Sequence, residues 1–185
     1  MAITIHDYML PGETHNLYDV NFFGDIIHTL LTQDPTVVSQ WLSEIQSLNH
    51  SQDHHLIIGL DVEWRPKFNQ NIENPVAMLQ LCVERRCLIY QLIHSPSIPP
   101  SLVDFLSNQK CTFVGIGITA DLEKLEEDCG FGFNAKFKNA RSGYLSDEGV
   151  EEFGAEKSGE SCAWERGGQA ERSDHEYAGL PIAEA

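Results

Sequence analysis

The stretch Leu56-Ile57-Ile58-Gly59-Leu60-Asp61-Val62-Glu63-Trp64-Arg65-Pro66 decides how the rest of the chain is read. Its first half is apolar at both odd and even positions, which predicts a central strand covered on both faces. Pro66, which has no backbone N–H to give, ends it. The strand therefore terminates in two acids. Because side chains alternate along a strand, Asp61 and Glu63 leave the same face and lie a few ångströms apart. Carboxylates held that close repel each other unless a proton or a cation sits between them. A hard divalent ion, Mg²⁺ or Mn²⁺, is the natural occupant of an all-oxygen site. The pair is not decisive by itself, since an acid near a strand end is also an ordinary turn-former.

Upstream of this strand, Asn16 to Thr32 carries Leu17, Val20, Phe22, Phe23, Ile26, Ile27, Leu30 and Leu31 around Gly24-Asp25, the pattern of a strand pair with a tight turn. Asp34-Pro35 supplies an N-cap followed by Pro at the first helical position, and Val37, Val38, Trp41, Leu42 and Ile45 recur at helical spacing. Downstream, Lys67 to Pro75 is a polar loop. Val76 to Val83 and Cys87 to Leu92 then form a hairpin across Glu84-Arg85, giving a three-strand meander with the central strand. Pro99-Pro100 opens a short helix carrying Leu102, Phe105 and Leu106. Thr112 to Ile118 is a further buried strand, and Thr119 starts a helix with Leu122, Leu125 and Cys129 on one face and Gly130 as its stop. The order strand, strand, strand, helix, strand, helix predicts an α/β fold with a mixed sheet and flanking helices.

The apolar strand with Asp61-Val62-Glu63-Trp64-Arg65-Pro66 resembles the first motif of the DEDD-type 3′-5′ exonucleases, in the group of Werner-syndrome-like exonuclease domains and their small plant-type forms. Phe113-Val114-Gly115-Ile116-Gly117-Ile118-Thr119-Ala120-Asp121-Leu122-Glu123-Lys124-Leu125 resembles the second motif, with its acid at Asp121. Taken alone, Asp121 is an acid favoured by the helix dipole in a first turn. Two motifs in the right order support each other. The resemblance implies a ribonuclease H-like fold and 3′-5′ exonucleolytic cleavage of DNA or RNA ends with two metal ions about 4 Å apart. It places Asp61 between both ions, Glu63 on the first beside the terminal nucleotide, and Asp121 in support of the second. Val62, Trp64 and Arg65 are the substrate contacts it implies.

The family's third motif, Tyr-x-x-x-Asp, has no counterpart here: the last tyrosine is Tyr177, and Pro181 stands four positions on. Residues 141–185 are rich in Gly and Glu with few core-formers, so they read as a divergent, poorly ordered tail, and the C-terminal part of the fold as truncated or disordered. The domain is expected over residues 16–140, after an N-terminal tail of residues 1–15. Lacking the fourth acid, the chain is expected to have impaired turnover; the alternative is an inactive exonuclease-fold module that binds nucleic acid or a protein partner.

At 185 residues and 42% hydrophobic content the chain can bury one core, and it has no apolar run near the roughly 18 residues that would span a membrane. No signal-peptide pattern opens it, so it reads as intracellular, in nucleus or cytoplasm. Five cysteines without a C-x-x-C pair do not suggest a disulfide framework, and Cys82 and Cys111 read as small hydrophobes. A net charge of −16 argues against strong nonspecific binding to a polyanion. A local basic strip could still exist, with Arg65, Lys67, Arg85, Arg86, Lys136 and Lys138 as its candidates.

Overall fold

The computed structural model describes residues 3–11, 14–48, 55–64, 74–131 and 135–139, together with the backbone of 151–152. Apart from that two-residue stretch, the tail at 141–185 lies outside these residues, as does the loop carrying Arg65 and Lys67.

The strands are β1 (Thr4–Asp7), β2 (His15–Phe22), β3 (Asp25–Thr32), β4 (Leu56–Trp64), β5 (Val76–Val83), β6 (Arg86–Tyr90), β7 (Cys111–Gly115), β8 (Lys136–Asn139) and β9 (Glu151–Glu152), the central ones formed by alternating or continuous apolar runs. The helices are α1 (Pro35–Leu48), α2 (Pro100–Leu106) and α3 (Ile118–Cys129). The nine strands make one mixed sheet in the order β1-β2-β3-β6-β5-β4-β7-β8-β9. Within it, β6-β5-β4 is the antiparallel meander and β7 and β8 add parallel to it. A three-strand meander extended by two parallel strands beside its first member is the ribonuclease H-like arrangement. The hairpin β2–β3 enlarges it by laying β3 parallel to β6.

Local chemistry sets the boundaries. Phe23 and Gly24 both take positive φ, the requirement of a two-residue primed hairpin turn between β2 and β3. The Asp34 carboxylate accepts the Thr36 N–H at 2.8 Å, which starts α1 where the Asp-Pro pair predicts. Gly130 ends α3 in the left-handed conformation with its N–H on the Glu126 carbonyl. β7 stops at Gly115 and α3 begins at Ile118, a little earlier than the apolar run suggests, because Gly117 at φ 73° turns the chain in between. The sheet also begins ahead of residue 16, since β1 pairs with β2 from Thr4↔Asn21 to Asp7↔Tyr18.

Cross-strand register shows which face of the sheet is packed. Ile58, Leu60 and Val62 of β4 stand beside Phe113, Leu81 and Leu79, and with Leu88, Tyr90, Phe137 and the buried residues of all three helices they form one apolar cluster. The other parity of β4 comprises Ile57, Gly59, Asp61 and Glu63, with Ile57 64% exposed. The expectation of a strand covered on both faces is thus corrected. Described helices cover one face only, and the apolar Ile57 that suggested double cover lies on the open one.

The cysteine reading also needs correction. Cys82 and Cys87 are direct partners across β5–β6, with Cα atoms 4.2 Å apart, and they are joined as a disulfide. Spacing alone concealed this, because the turn folds residues five apart in sequence onto each other. Cys111 is a buried thiol outside this bond, and burial pushes it up to about 11.

Candidate functional site

Asp61 and Glu63 sit exposed on the open face at the C-terminal end of β4. Each has a neighbour on β5 at the same level, Gln80 beside Asp61 and Met78 beside Glu63. The Gln80 side-chain amide donates to Asp61 Oδ2 at 3.4 Å, a long bond that steadies the carboxylate without locking it. A β-bulge follows between Glu63 and Trp64. Bulges re-aim a strand and are common next to sites.

Asp121 arrives from the first turn of α3, and its position depends on how tightly that helix is hung beside β4. Gly115 is the close point: a Cβ there would collide with the backbone carbonyl oxygen of Leu60, the residue before Asp61. The Gly117 N–H donates to Asn139 Oδ1 at 3.0 Å, tying the helix start to the end of β8. Further along α3, Asp128 accepts the Val76 N–H at 2.8 Å and pairs with Lys124, which anchors the helix to β5. Ile118, Leu122 and Leu125 hold its apolar face in the core.

This leaves Asp121 only 6% exposed, with Oδ2 buried and without a hydrogen-bond partner. Its carboxyl is pushed up to about 6, first by burial and then by the negative charges of Asp61 and Glu63. The three acids therefore share one electrostatic neighbourhood, although they come from a strand and from a helix that is distant in sequence. They do not form a closed chelate: among the described residues no three His, Cys, Asp or Glu side chains are placed to hold one ion as they stand. The all-oxygen donor set and the orphaned carboxylate oxygen nevertheless suit a hard cation.

The remaining sequence-derived site residues divide. Val62 points to the opposite face and is core at 5% exposure, so only its backbone borders the acids. The alternation that paired Asp61 with Glu63 already separates Val62 from them. Trp64 is half-buried and packs against the apolar cluster. Arg65 lies outside the described residues. Of the basic candidates, Arg85 pairs with Asp25 at the β2–β3 turn, and Arg86 stands on the packed-face parity, level with His28. Lys136 and Lys138 flank buried Phe137 and share the open face with the acids, in rows with Ile57–Thr112 and Gly59–Val114. Sequence reading did not single out Gln80 or Gly115. Gln80 became visible only once β5 was in register with β4.

No family model matches the chain. Two curated proteins are similar to it in sequence. A 3′-5′ exonuclease of Arabidopsis thaliana is 30% identical over 117 residues, 62% of this chain and 40% of that protein. The bifunctional 3′-5′ exonuclease/ATP-dependent helicase WRN of Mus musculus is 31% identical over 114 residues, 61% of this chain and 8% of that protein. The chain thus spans less than half the length of either relative. Among solved structures, the EXD2 exonuclease domain soaked in Mg and GMP is similar with a TM-score of 0.49 and 22% identity, over 59% of this chain and 55% of that one. The Aedes aegypti Nibbler EXO domain has a TM-score of 0.45 and 15% identity, over 56% of this chain and 45% of that one. Over about three fifths of its length the chain is thus similar in sequence to 3′-5′ exonucleases.

Proposed function

We propose that this chain acts on the 3′ ends of DNA or RNA as a divalent-metal-dependent 3′-5′ exonuclease, with Asp61, Glu63 and Asp121 as the ligand carboxylates. The observation that carries this reading is the Asp121 carboxylate, buried with an unpartnered oxygen in the combined field of the other two acids. A fold that burdens itself with such a group gains most when a cation occupies the space between the acids.

Bound Mg²⁺ or Mn²⁺ would supply charge stabilisation at the phosphorus and a more acidic water. The chain's own residues supply position. α3 holds Asp121 rigidly, Gln80 steadies Asp61, and exposed Asp61 and Glu63 keep the rotamer freedom needed to close on an ion. The open face admits a strand end, and Lys136 and Lys138 on that face would meet its backbone phosphates. Trp64 and Arg65, with the backbone of Val62, would border the terminal nucleotide.

Turnover is expected to be weak. Residues 141–185 contain no Tyr-x-x-x-Asp, and loss of one electrostatic stabiliser typically costs about 10² to 10³ in rate. The absence of a closed three-acid chelate among the described residues favours, as the second reading, a module that binds ends without cutting them. The test uses a 5′-labelled 3′-recessed duplex and a labelled RNA with Mg²⁺ or Mn²⁺. Shortening from the 3′ end that stops in EDTA and in Asp61→Asn supports the exonuclease. Retention of the labelled strand in a shift assay without shortening supports the binding module.

A further inference from the structure

A second cavity lies on the packed face, away from the three acids. It is a cleft of about 390 Å³ between α1 and the hairpin β2–β3, walled by Leu17, Leu30, Val37 and Trp41 and bordered by His28 and Arg86. It falls within the range of small-ligand sites, roughly 300–1,000 Å³, and has their composition of apolar walls with a few polar groups at the mouth.

The polar groups are arranged by a network outside the cleft. Tyr8 Oη–H donates to Asp19 Oδ2 at 2.7 Å, and His28 Nδ1 donates to Asp19 Oδ1 at 2.6 Å. An ionised carboxylate only accepts, so the Asp19 bond fixes the proton of His28 on Nδ1 and leaves Nε2 as a hydrogen-bond acceptor. Arg86 supplies a guanidinium at the same mouth. Its contact with Glu44 is at 4.0 Å between two substantially exposed side chains, which contributes little and leaves the guanidinium available. The cleft thus offers apolar walls beside an indole, with the Arg86 guanidinium at its mouth next to exposed Glu44. The site is separate from the acids: β3 stands three strands from β4, about 15 Å across the sheet, and the cleft opens on the opposite face.

We infer that this cleft binds a small planar aromatic molecule bearing one anionic group, its ring between Trp41 and the Leu17–Leu30 wall and its anion on the Arg86 guanidinium. The chemistry is shared by aromatic carboxylates and by nucleoside monophosphates. The experiment is calorimetric titration of the full chain, in EDTA to silence the carboxylate site, with 2-naphthoate, the neutral isostere 2-naphthol, and deoxyadenosine 5′-monophosphate.

One-to-one saturable binding of 2-naphthoate or of the monophosphate is expected, and whichever binds tighter names the source. Affinity should fall about tenfold or more in Arg86→Ala, the cost of losing a charge-assisted bond, and by a similar factor for the neutral isostere. Val37→Phe should abolish binding by filling the slot, and Gln46→Ala, a change at an exposed position of α1 outside the cleft, serves as the folded control. No saturable binding of either anion at millimolar concentration would overturn the inference. So would binding that survives both Arg86→Ala and Val37→Phe unchanged.

Discussion

Asp121 is the residue on which stability and chemistry pull apart. Its folded-state acidity is displaced upward to about 6 from an ordinary value of 3.8, so folding takes up a proton between these values. In the absence of metal, its contribution is most favourable below about pH 4 and is lost as pH rises through 6. Asp121→Asn is therefore expected to raise the stability of the metal-free protein at pH 7.5 by roughly 2 kcal/mol, allowing for incomplete burial, and the advantage should disappear near pH 4. Thermal unfolding of both proteins in EDTA across that range reads it directly; equal midpoints at pH 7.5 would show that the carboxyl is not held at a cost. At this scale the sequence was legible where period two applies: Asp61 and Glu63 share a face as their spacing requires. The same arithmetic puts Val62 in the core, a consequence that the family resemblance masked. The burial of Asp121 could not be read at all, because an acid in a first helical turn looks the same whether it faces water or a strand end.

Among the elements, the junction of β4, β7 and α3 fixes the site, and Gly115 is its tightest point. Gly115→Ala is expected to destabilise the fold by about 1–3 kcal/mol, because its new methyl meets backbone that cannot rotate away. Metal affinity should weaken with it, since α3 carries Asp121. Chemical denaturation measures the first effect and a Mn²⁺ titration the second. The β5–β6 hairpin carries the Cys82–Cys87 bond, which closes a very short loop and is worth roughly 2 kcal/mol in the chain-entropy picture. Dithiothreitol should lower the urea midpoint of the native chain by that equivalent and leave Cys82→Ser unchanged; an equal shift in both would assign the effect elsewhere. Helix α1 and the two hairpins follow from their punctuation, Asp34-Pro35, Phe23-Gly24 and Glu84-Arg85. The disulfide does not, because pairing across a turn depends on register, and composition had argued for free thiols.

For the molecule as a whole, the sheet has two unlike faces. Helices α1, α2 and α3 cover one, and the other carries the acids, the disulfide and Lys136 and Lys138. Sequence patterning could not distinguish them, since apolar residues occur at both parities of β4 while the described residues pack only one parity. No helix among the described residues is long and apolar enough to cross a membrane. With a net charge of −16, affinity for a polyanion must come from local geometry, so binding of an oligonucleotide is expected to be weak and to need the divalent ion. Lys136→Glu with Lys138→Glu should weaken binding further and flatten its dependence on salt, as loss of up to two phosphate contacts requires. Fluorescence anisotropy at several KCl concentrations would show it, and an unchanged slope would remove these lysines from the path. The most direct measurement is calorimetric titration of the full chain with Mn²⁺, in parallel with Asp61→Asn, Glu63→Gln and Asp121→Asn. Saturable binding by the native chain, weakened in all three variants, is the result expected if the acids form one cation site. Binding that is absent, or that persists undiminished in Asp121→Asn, would contradict it.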